Sequence, residues 1–231
     1  MAINYQLMLD KELEKIQRLD QRPRLLLHAC CAPCSSYVLE YLSRFFHITV
    51  LFYNPNISPA SEFELRAKEL QRLVIEMNLE ESITVQTAHY DSGEFFNIAR
   101  GKEDMPEGGE RCTECFRLRL SESARVAKEG NYDYFTTTLS ISPLKDAKRL
   151  NSIGGEMAEQ YGVSYLYSDF KKREGYKRSI QLSGEHNLYR QDYCGCVFSK
   201  RDAENRKKEQ AMTPKVIACS WCGRRDLNPH A

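Results

Sequence analysis

The chain has 231 residues, of which 42% are hydrophobic, and its 33 basic and 32 acidic side chains leave a formal charge of +1 at pH 7. No apolar run approaches the roughly 20 residues that cross a bilayer, and residues 1–19 lack the apolar core and small-residue cleavage site of a secretory signal. We therefore expect a cytoplasmic protein with no membrane partner. In that compartment clustered cysteines bind metals or carry out redox chemistry more often than they form structural disulfides, and this chain has nine cysteines.

The elements predicted in chain order alternate between helix and strand. Apolar residues from Tyr5 to Leu19 recur at spacings of three and four, which predicts a helix over residues 3–20. Five short apolar or β-branched runs predict strands at residues 24–29, 48–53, 83–86, 134–138 and 163–167. Further helices are predicted at 35–44, from Ser61 onward, at 112–129, at 145–161 and at 196–209, with 171–183 as helix or loop. Ser35 and Ser36 are the expected cap of the second helix.

This alternation predicts a doubly wound α/β sheet with mainly parallel strands. We expect residues 1–209 to form one catalytic domain. Residues 210–231 are predicted to form a mobile tail, because the last stretch shows no helical or strand period. Residues 101–109, rich in Gly, Glu and Pro, are expected to form a loop that leads to Cys112.

Seven of the nine cysteines fall into three groups, Cys30-Cys31-Ala-Pro-Cys34, Cys112-Thr-Glu-Cys115 and Cys194-Gly-Cys196. The first group follows the first predicted strand, and open α/β sheets bind ligands outside the carboxyl ends of their strands. The second group stands at a predicted helix start, where the helix dipole favours thiolate over thiol. Both positions suit metal ligation.

The adjacent pair of the first group and the Cys-x-x-Cys pair of the second together could supply the four thiolates that an iron-sulfur cubane usually requires. Four thiolates also make a structural zinc site, and free cysteines also pack as buried apolar side chains. A pair of adjacent cysteines at the reactive edge of a sheet favours the iron-sulfur interpretation. Oxidation of Cys194 and Cys196 would close a small, strained ring, which is typical of a labile redox pair; the alternative is that both are further metal ligands.

Several motifs in this order resemble the cobalamin-independent epoxyqueuosine reductase family, from about Leu25 to about Lys208. They are LHACCAPC at the first strand, FYNPNI at the second, then RCTECFRLR, TTTL and YCGC. The resemblance implies a Rossmann-like, adenine nucleotide alpha hydrolase-like fold with cysteine-rich loops at the carboxyl edge of the sheet.

The resemblance also implies a [4Fe-4S] cluster and a redox-active disulfide. Matched by motif, Cys30, Cys31, Cys112 and Cys115 hold the cluster. By the same match, Cys194 and Cys196 form the catalytic disulfide. Cys34 is either a further metal ligand, for one additional iron, or a pocket-lining residue.

The implied reaction removes the epoxide oxygen of epoxyqueuosine in tRNA and leaves an alkene and water. It consumes two electrons from an unidentified donor and two protons. The candidate proton donors are His28, His89 with Asp91, and Tyr193, none of which is assigned as catalytic because a lone histidine is more often structural.

A basic stretch with one aromatic residue is the candidate tRNA contact. It contains Lys171, Lys172, Arg173, Tyr176, Lys177 and Arg178. Such a stretch suits phosphates and an unstacked base, and the alternative is a solvated charged face.

Two other functions compete with reduction of an epoxide. One is an ATP-using, iron-sulfur-dependent tRNA thiolation enzyme, although its Gly- and Ser-rich nucleotide loop would stand where this chain has Cys30 to Cys34. The other is a zinc-stabilised RNA-binding module. The sequence leaves the oligomeric state open.

Overall fold

The computed structural model describes residues 3–212 and contains a five-stranded sheet in the order β3-β2-β1-β4-β5, with every neighbouring pair parallel. The strands are β1 (Arg24–His28), β2 (His47–Phe52), β3 (Ile83–Thr87), β4 (Tyr134–Thr137) and β5 (Ser164–Tyr165). The chain first winds outward from β1 to β3 and then returns to place β4 on the other side of β1. This order confirms the predicted doubly wound parallel sheet, with its topological switch point between β1 and β4.

Eight α-helices accompany the sheet within the described part of the chain. They are α1 (Tyr5–Ile16), α2 (Ala32–Leu42), α3 (Ala60–Glu76), α4 (Ser92–Ala99), α5 (Glu110–Glu129), α6 (Ala147–Tyr161), α7 (Gly175–Glu185) and α8 (Val197–Met212), with a 3₁₀ helix at Thr138–Ile141. None of these helices has the length and apolar character needed to cross a membrane.

Two hydrophobic cores lie on opposite faces of the sheet. Leu25 and Leu27 of β1 pack into the core beneath α1, α2 and α3, whereas Leu26 packs into the core beneath α5 and α6. All three side chains are fully buried. A central parallel strand covered on both faces is a continuous apolar run, and this explains the sequence from Leu25 to Leu27.

Several predicted boundaries differ from the structure. Helix α2 begins at Ala32 with Pro33 in its first turn, where its fixed backbone angle is favourable. The Ser35 hydroxyl donates to the Cys31 carbonyl at 2.8 Å inside that turn, so the predicted Ser35 cap is wrong. Helix α1 ends at Ile16, which leaves Leu19 56% exposed.

Three later elements also depart from prediction. The fifth strand, at one edge of the sheet, pairs only at Ser164–Tyr165. Helix α4 was not predicted; it is short, and Asp91 caps it by accepting from the Gly93 N–H at 2.8 Å. The predicted tail boundary at 210 falls inside α8, and the rest of that tail, with Cys219 and Cys222, lies outside the described residues.

Candidate metal and redox site

The first cysteine group follows β1 at the switch point. The sulfur atoms of Cys30, Cys31 and Cys34 lie within 4.8 Å of one another, and those of Cys30 and Cys31 are 3.8 Å apart. Cys30 and Cys31 are buried and Cys34 is half-buried. Hydrogen bonds from the Cys31 and Cys34 thiols lower the pKa of Cys30. Three thiols at this spacing can hold a metal ion.

Asn54, from the FYNPNI motif after β2, supports the backbone before these cysteines. Its side-chain N–H donates to the Ala29 carbonyl at 2.8 Å, and its Oδ1 accepts from Arg119 Nη1 at 3.2 Å. One buried amide therefore connects the first cysteine loop to helix α5.

His28 is a buried structural link. Its Nδ1 lies 2.9 Å from Thr137 Oγ1 and its Nε2 lies 3.1 Å from the Tyr53 carbonyl, so both ring nitrogens have partners on neighbouring strand ends. Burial lowers its pKa to about 3, so the imidazole is neutral at physiological pH. The geometry accounts for His28 without a proton-donor role.

The second group lies at the start of α5, which begins two residues before the predicted start at Cys112; Cys112 is in the first turn and Cys115 in the second. Gly109 precedes the first turn, and the Gly108 N–H donates to Cys112 Sγ at 3.3 Å. Burial raises the pKa of Cys112, and it raises the pKa of Cys115 to about 12. For the protein alone, desolvation therefore outweighs the favourable effect of the helix dipole on these thiols. Binding of a metal cation would lower the pKa of these thiols, since a ligated thiol loses its proton.

The third group is held by its backbone. Gly195 has φ of +125°, and a Cβ there would lie 3.0 Å from Ile57 Cγ1 and 3.1 Å from Arg66 Nη1, so glycine is required. The Ser58 N–H donates to the Gly195 carbonyl at 3.0 Å, and Arg66 Nη1 donates to the Cys194 carbonyl at 3.2 Å. The Ser199 N–H donates to Cys196 Sγ at 3.3 Å.

The sequence pattern alone does not identify Arg66 as part of the site. It is 2% exposed and pairs with Glu62, four residues earlier on α3, at 2.7 Å. That spacing in a sequence is the ordinary pattern of a surface ion pair. Only the packing of the 194–196 segment against α3 distinguishes the Arg66–Glu62 pair from an ordinary surface pair.

All seven cysteines of the described chain line two adjoining cavities. The first cavity contains Cys112, Cys115, Cys194 and Cys196 in its lining; the second contains Cys30, Cys31, Cys34 and again Cys194. Both cavities also share Glu107, Leu144 and Lys145. The second cavity has a volume of about 290 Å³. The fold thus brings the three sequence-predicted groups to one crevice at the switch point.

Buried guanidinium groups around this crevice indicate that it accommodates negative charge. Arg111 and Arg119 are each 1% exposed, and their bonded partners are backbone carbonyls and the Asn54 amide oxygen, all uncharged. Nε and Nη2 of Arg111 and Nη2 of Arg119 have no hydrogen-bond partner. Buried cations require anionic partners, which ligated thiolates would provide. The residues present therefore fit a thiolate-held metal centre.

Two of the other proposed proton donors lie away from these cavities. His89 and Asp91 are exposed, and Asp91 is used as the cap of α4. Tyr193 does line the second cavity, with the Arg66 guanidinium 5.3 Å from its ring centroid. Burial raises the pKa of Tyr193, so its hydroxyl stays protonated.

The predicted basic stretch from Lys171 to Arg178 is largely neutralised. Lys171 pairs with Asp169, Arg173 with Asp10, Lys177 with Glu174, and Arg178 with Glu40 and Glu185. Its aromatic member, Tyr176, is 36% exposed and lines the second cavity. An aromatic ring in this position could contact a base. The cations beside it are mostly paired with carboxylates, so they are less available to contact phosphates.

Comparison with known proteins gives consistent matches over most of the chain. The sequence model of the family described as "Epoxyqueuosine reductase QueH" matches residues 25–202. A Staphylococcus epidermidis protein of that name is 44% identical over 201 residues, covering 85% of this chain and 84% of its own length. Proteins of the same name from Streptococcus pyogenes and Thermotoga maritima are 43% and 34% identical, covering 86% and 83% of this chain and 79% and 96% of their own lengths. Among solved structures, an NH3-dependent NAD synthetase from Campylobacter jejuni aligns with 94% of this chain and 91% of its own, at 16% identity and a TM-score of 0.41.

Proposed function

Because the chain belongs to the epoxyqueuosine reductase QueH family, we propose that it is an oxidoreductase that reduces the epoxide of epoxyqueuosine in tRNA to the alkene of queuosine. The observation that carries the proposal is the convergence of three cysteine groups on two adjoining cavities at the switch point of the sheet. A tRNA-modifying activity of this kind belongs in the cytoplasm. Residues 1–209 are its catalytic domain.

The Cys194 and Cys196 thiols are the proposed electron source, and the electron balance of the reaction is consistent with that role. Removal of the epoxide oxygen as water breaks two carbon-oxygen bonds and consumes two electrons and two protons. Oxidation of two thiols to a disulfide releases two electrons and two protons, so one turnover balances. A reductant of the dithiol class, here an unidentified electron donor, then restores both thiols.

Cys30, Cys31, Cys112 and Cys115 are the residues that would hold a [4Fe-4S] cluster, and Cys34 would ligate an additional iron. Such a centre, when bound, supplies one-electron transfer and Lewis acidity toward an oxygen atom. Other residues of the site would balance charge and orient the thiols. Arg111 and Arg119 offset the negative charge of the ligands, and Arg66 and Gly195 orient the redox pair.

The second cavity is the binding site proposed for the modified nucleoside. Tyr176 and Tyr193 supply aromatic surface for an unstacked base. Cys194 lines both cavities, so its thiol would lie beside the cyclopentane ring of a nucleoside bound in the second.

The experiment that tests this function is nucleoside analysis of tRNA from a strain that lacks the protein. Accumulated epoxyqueuosine that disappears on complementation supports the proposal. Loss of a thiolated base instead would favour the thiolation enzyme, and unchanged tRNA nucleosides would favour a binding module. Anaerobic reconstitution followed by absorption and Mössbauer spectroscopy distinguishes an iron-sulfur cluster from zinc.

A further inference from the structure

Lys145 lines both cavities and lies on the turn after the 3₁₀ helix that follows β4. Its backbone N–H donates to the Ser142 carbonyl at 3.2 Å, which closes the turn. The next residue, Asp146, caps α6 by accepting from the Lys148 N–H at 2.8 Å. Since β4 is the neighbour of β1, this turn faces the loop of Cys30 across the switch point.

Lys145 lines the second cavity together with Cys30, Cys34 and Cys194, which belong to two cysteine groups. The charged groups that act on it most strongly are Cys194, Cys30 and Cys34, and then Arg119. Within residues 3–212 no carboxylate lies within ion-pair distance of it, and its side chain has no hydrogen-bond partner. A half-buried ammonium without a polar partner has donor capacity available for a ligand.

Each of the other cations of the crevice donates at least one hydrogen bond to the protein, whereas the Lys145 ammonium donates none to the residues described. Arg66 bonds Glu62 and the Cys194 carbonyl, Arg111 bonds two loop carbonyls, Arg119 bonds Asn54, and Arg190 bonds Ser183. Lys145 is also the one cation in the described chain that lines both cavities. It therefore stands where a substrate in the second cavity meets the thiols of the first.

Opening an epoxide places negative charge on its oxygen before water leaves. A fixed cationic donor at that oxygen lowers the barrier, because it interacts more strongly with an alkoxide than with the neutral epoxide. An unmodified lysine is protonated at neutral pH, and its three donors can rotate toward the oxygen.

We propose that Lys145 is a catalytic residue whose ammonium donates a hydrogen bond to the epoxide oxygen beside Cys194 and stabilises the developing alkoxide. This inference rests on the proposed function. Lys145 keeps its proton over the reaction, since the two protons of the departing water come from the Cys194 and Cys196 thiols.

The test compares Lys145→Met with the wild-type holoenzyme in single-turnover reduction of epoxyqueuosine tRNA under anaerobic conditions. We expect the rate to fall by about 100-fold, as on removal of an oxyanion donor, with unchanged iron and sulfide per chain. In binding measurements, the wild type should prefer epoxyqueuosine tRNA over queuosine tRNA by about tenfold. Lys145→Met should bind the two tRNAs equally, because only the epoxide presents the oxygen.

Lys148→Met is the matched control, since Lys148 is an exposed lysine one turn away on α6. It should retain the wild-type rate and preference, and Lys145→Arg should retain part of both. The inference is overturned if Lys145→Met keeps the wild-type rate and preference, or if its rate falls only in proportion to lost iron. A wild-type protein that does not reduce epoxyqueuosine would instead refute the proposed function.

Discussion

At the scale of single residues, the two proposed roles of the cysteines predict different losses. Cys115→Ser removes a proposed cluster ligand and should lower iron and sulfide per chain together with activity, because serine is a much poorer ligand for this centre. Cys196→Ser removes a redox thiol and should abolish turnover while leaving the iron content unchanged. Iron and sulfide analysis of the two purified variants is the measurement. Equal iron loss in both would mean that Cys196 is a ligand, which is the alternative left open by the sequence.

The second prediction for single residues concerns the contribution of Arg66 to stability. Arg66→Met removes a buried guanidinium that bonds the Cys194 carbonyl and pairs with Glu62, so we expect the free energy of unfolding to fall by about 3 kcal/mol. The matched control is Arg125→Met, whose exposed pairs with Glu122 and Glu129 on α5 are worth below about 1 kcal/mol. Urea denaturation of the two variants measures both. Equal costs would show that Arg66 is no more important than a surface pair.

At the scale of elements, the start of α6 connects stability to the crevice. Asp146→Ala removes the cap of α6 and should cost about 1 kcal/mol, and it should also lower turnover because the turn holding Lys145 loosens. Asn4→Ala removes the side-chain cap of α1, far along the chain, at a similar cost. Thermal unfolding and single-turnover rates of the two variants are compared. If Asn4→Ala slows turnover as much as Asp146→Ala does, the effect is one of general stability.

At the scale of the whole molecule, the cavities define how much of the chain the reaction needs. Their lining ends at Ser199 and the family match ends at residue 202. A chain that stops after Met212 should therefore keep the unfolding midpoint, the iron content and the reductase rate of the full chain. A rate lowered tenfold or more would show that residues 213–231 take part in the activity.

The sheet was largely predictable because its signals are local. The run from Leu25 to Leu27 and the β-branched residues from Ile48 to Val50 carry their own preference for a buried strand. Edge elements were harder: Ser164–Tyr165 and α4 are short, and their limits depend on neighbours that the local sequence does not show.

The sequence by itself determined the three cysteine groups, their place after β1, at the start of α5 and before α8, and the glycine between Cys194 and Cys196. These follow from spacing and from the alternation of elements along the chain. Only the tertiary structure decided which charges are available. Arg178 forms an ion pair with Glu40, 138 residues away in sequence, so its charge is not available to a ligand. Arg66 is buried against the Cys194 carbonyl. Lys145, which lines both cysteine cavities, forms no ion pair with any residue from 3 to 212. Burial and pairing arise from distant segments that meet only in the folded chain, so no local pattern could report them.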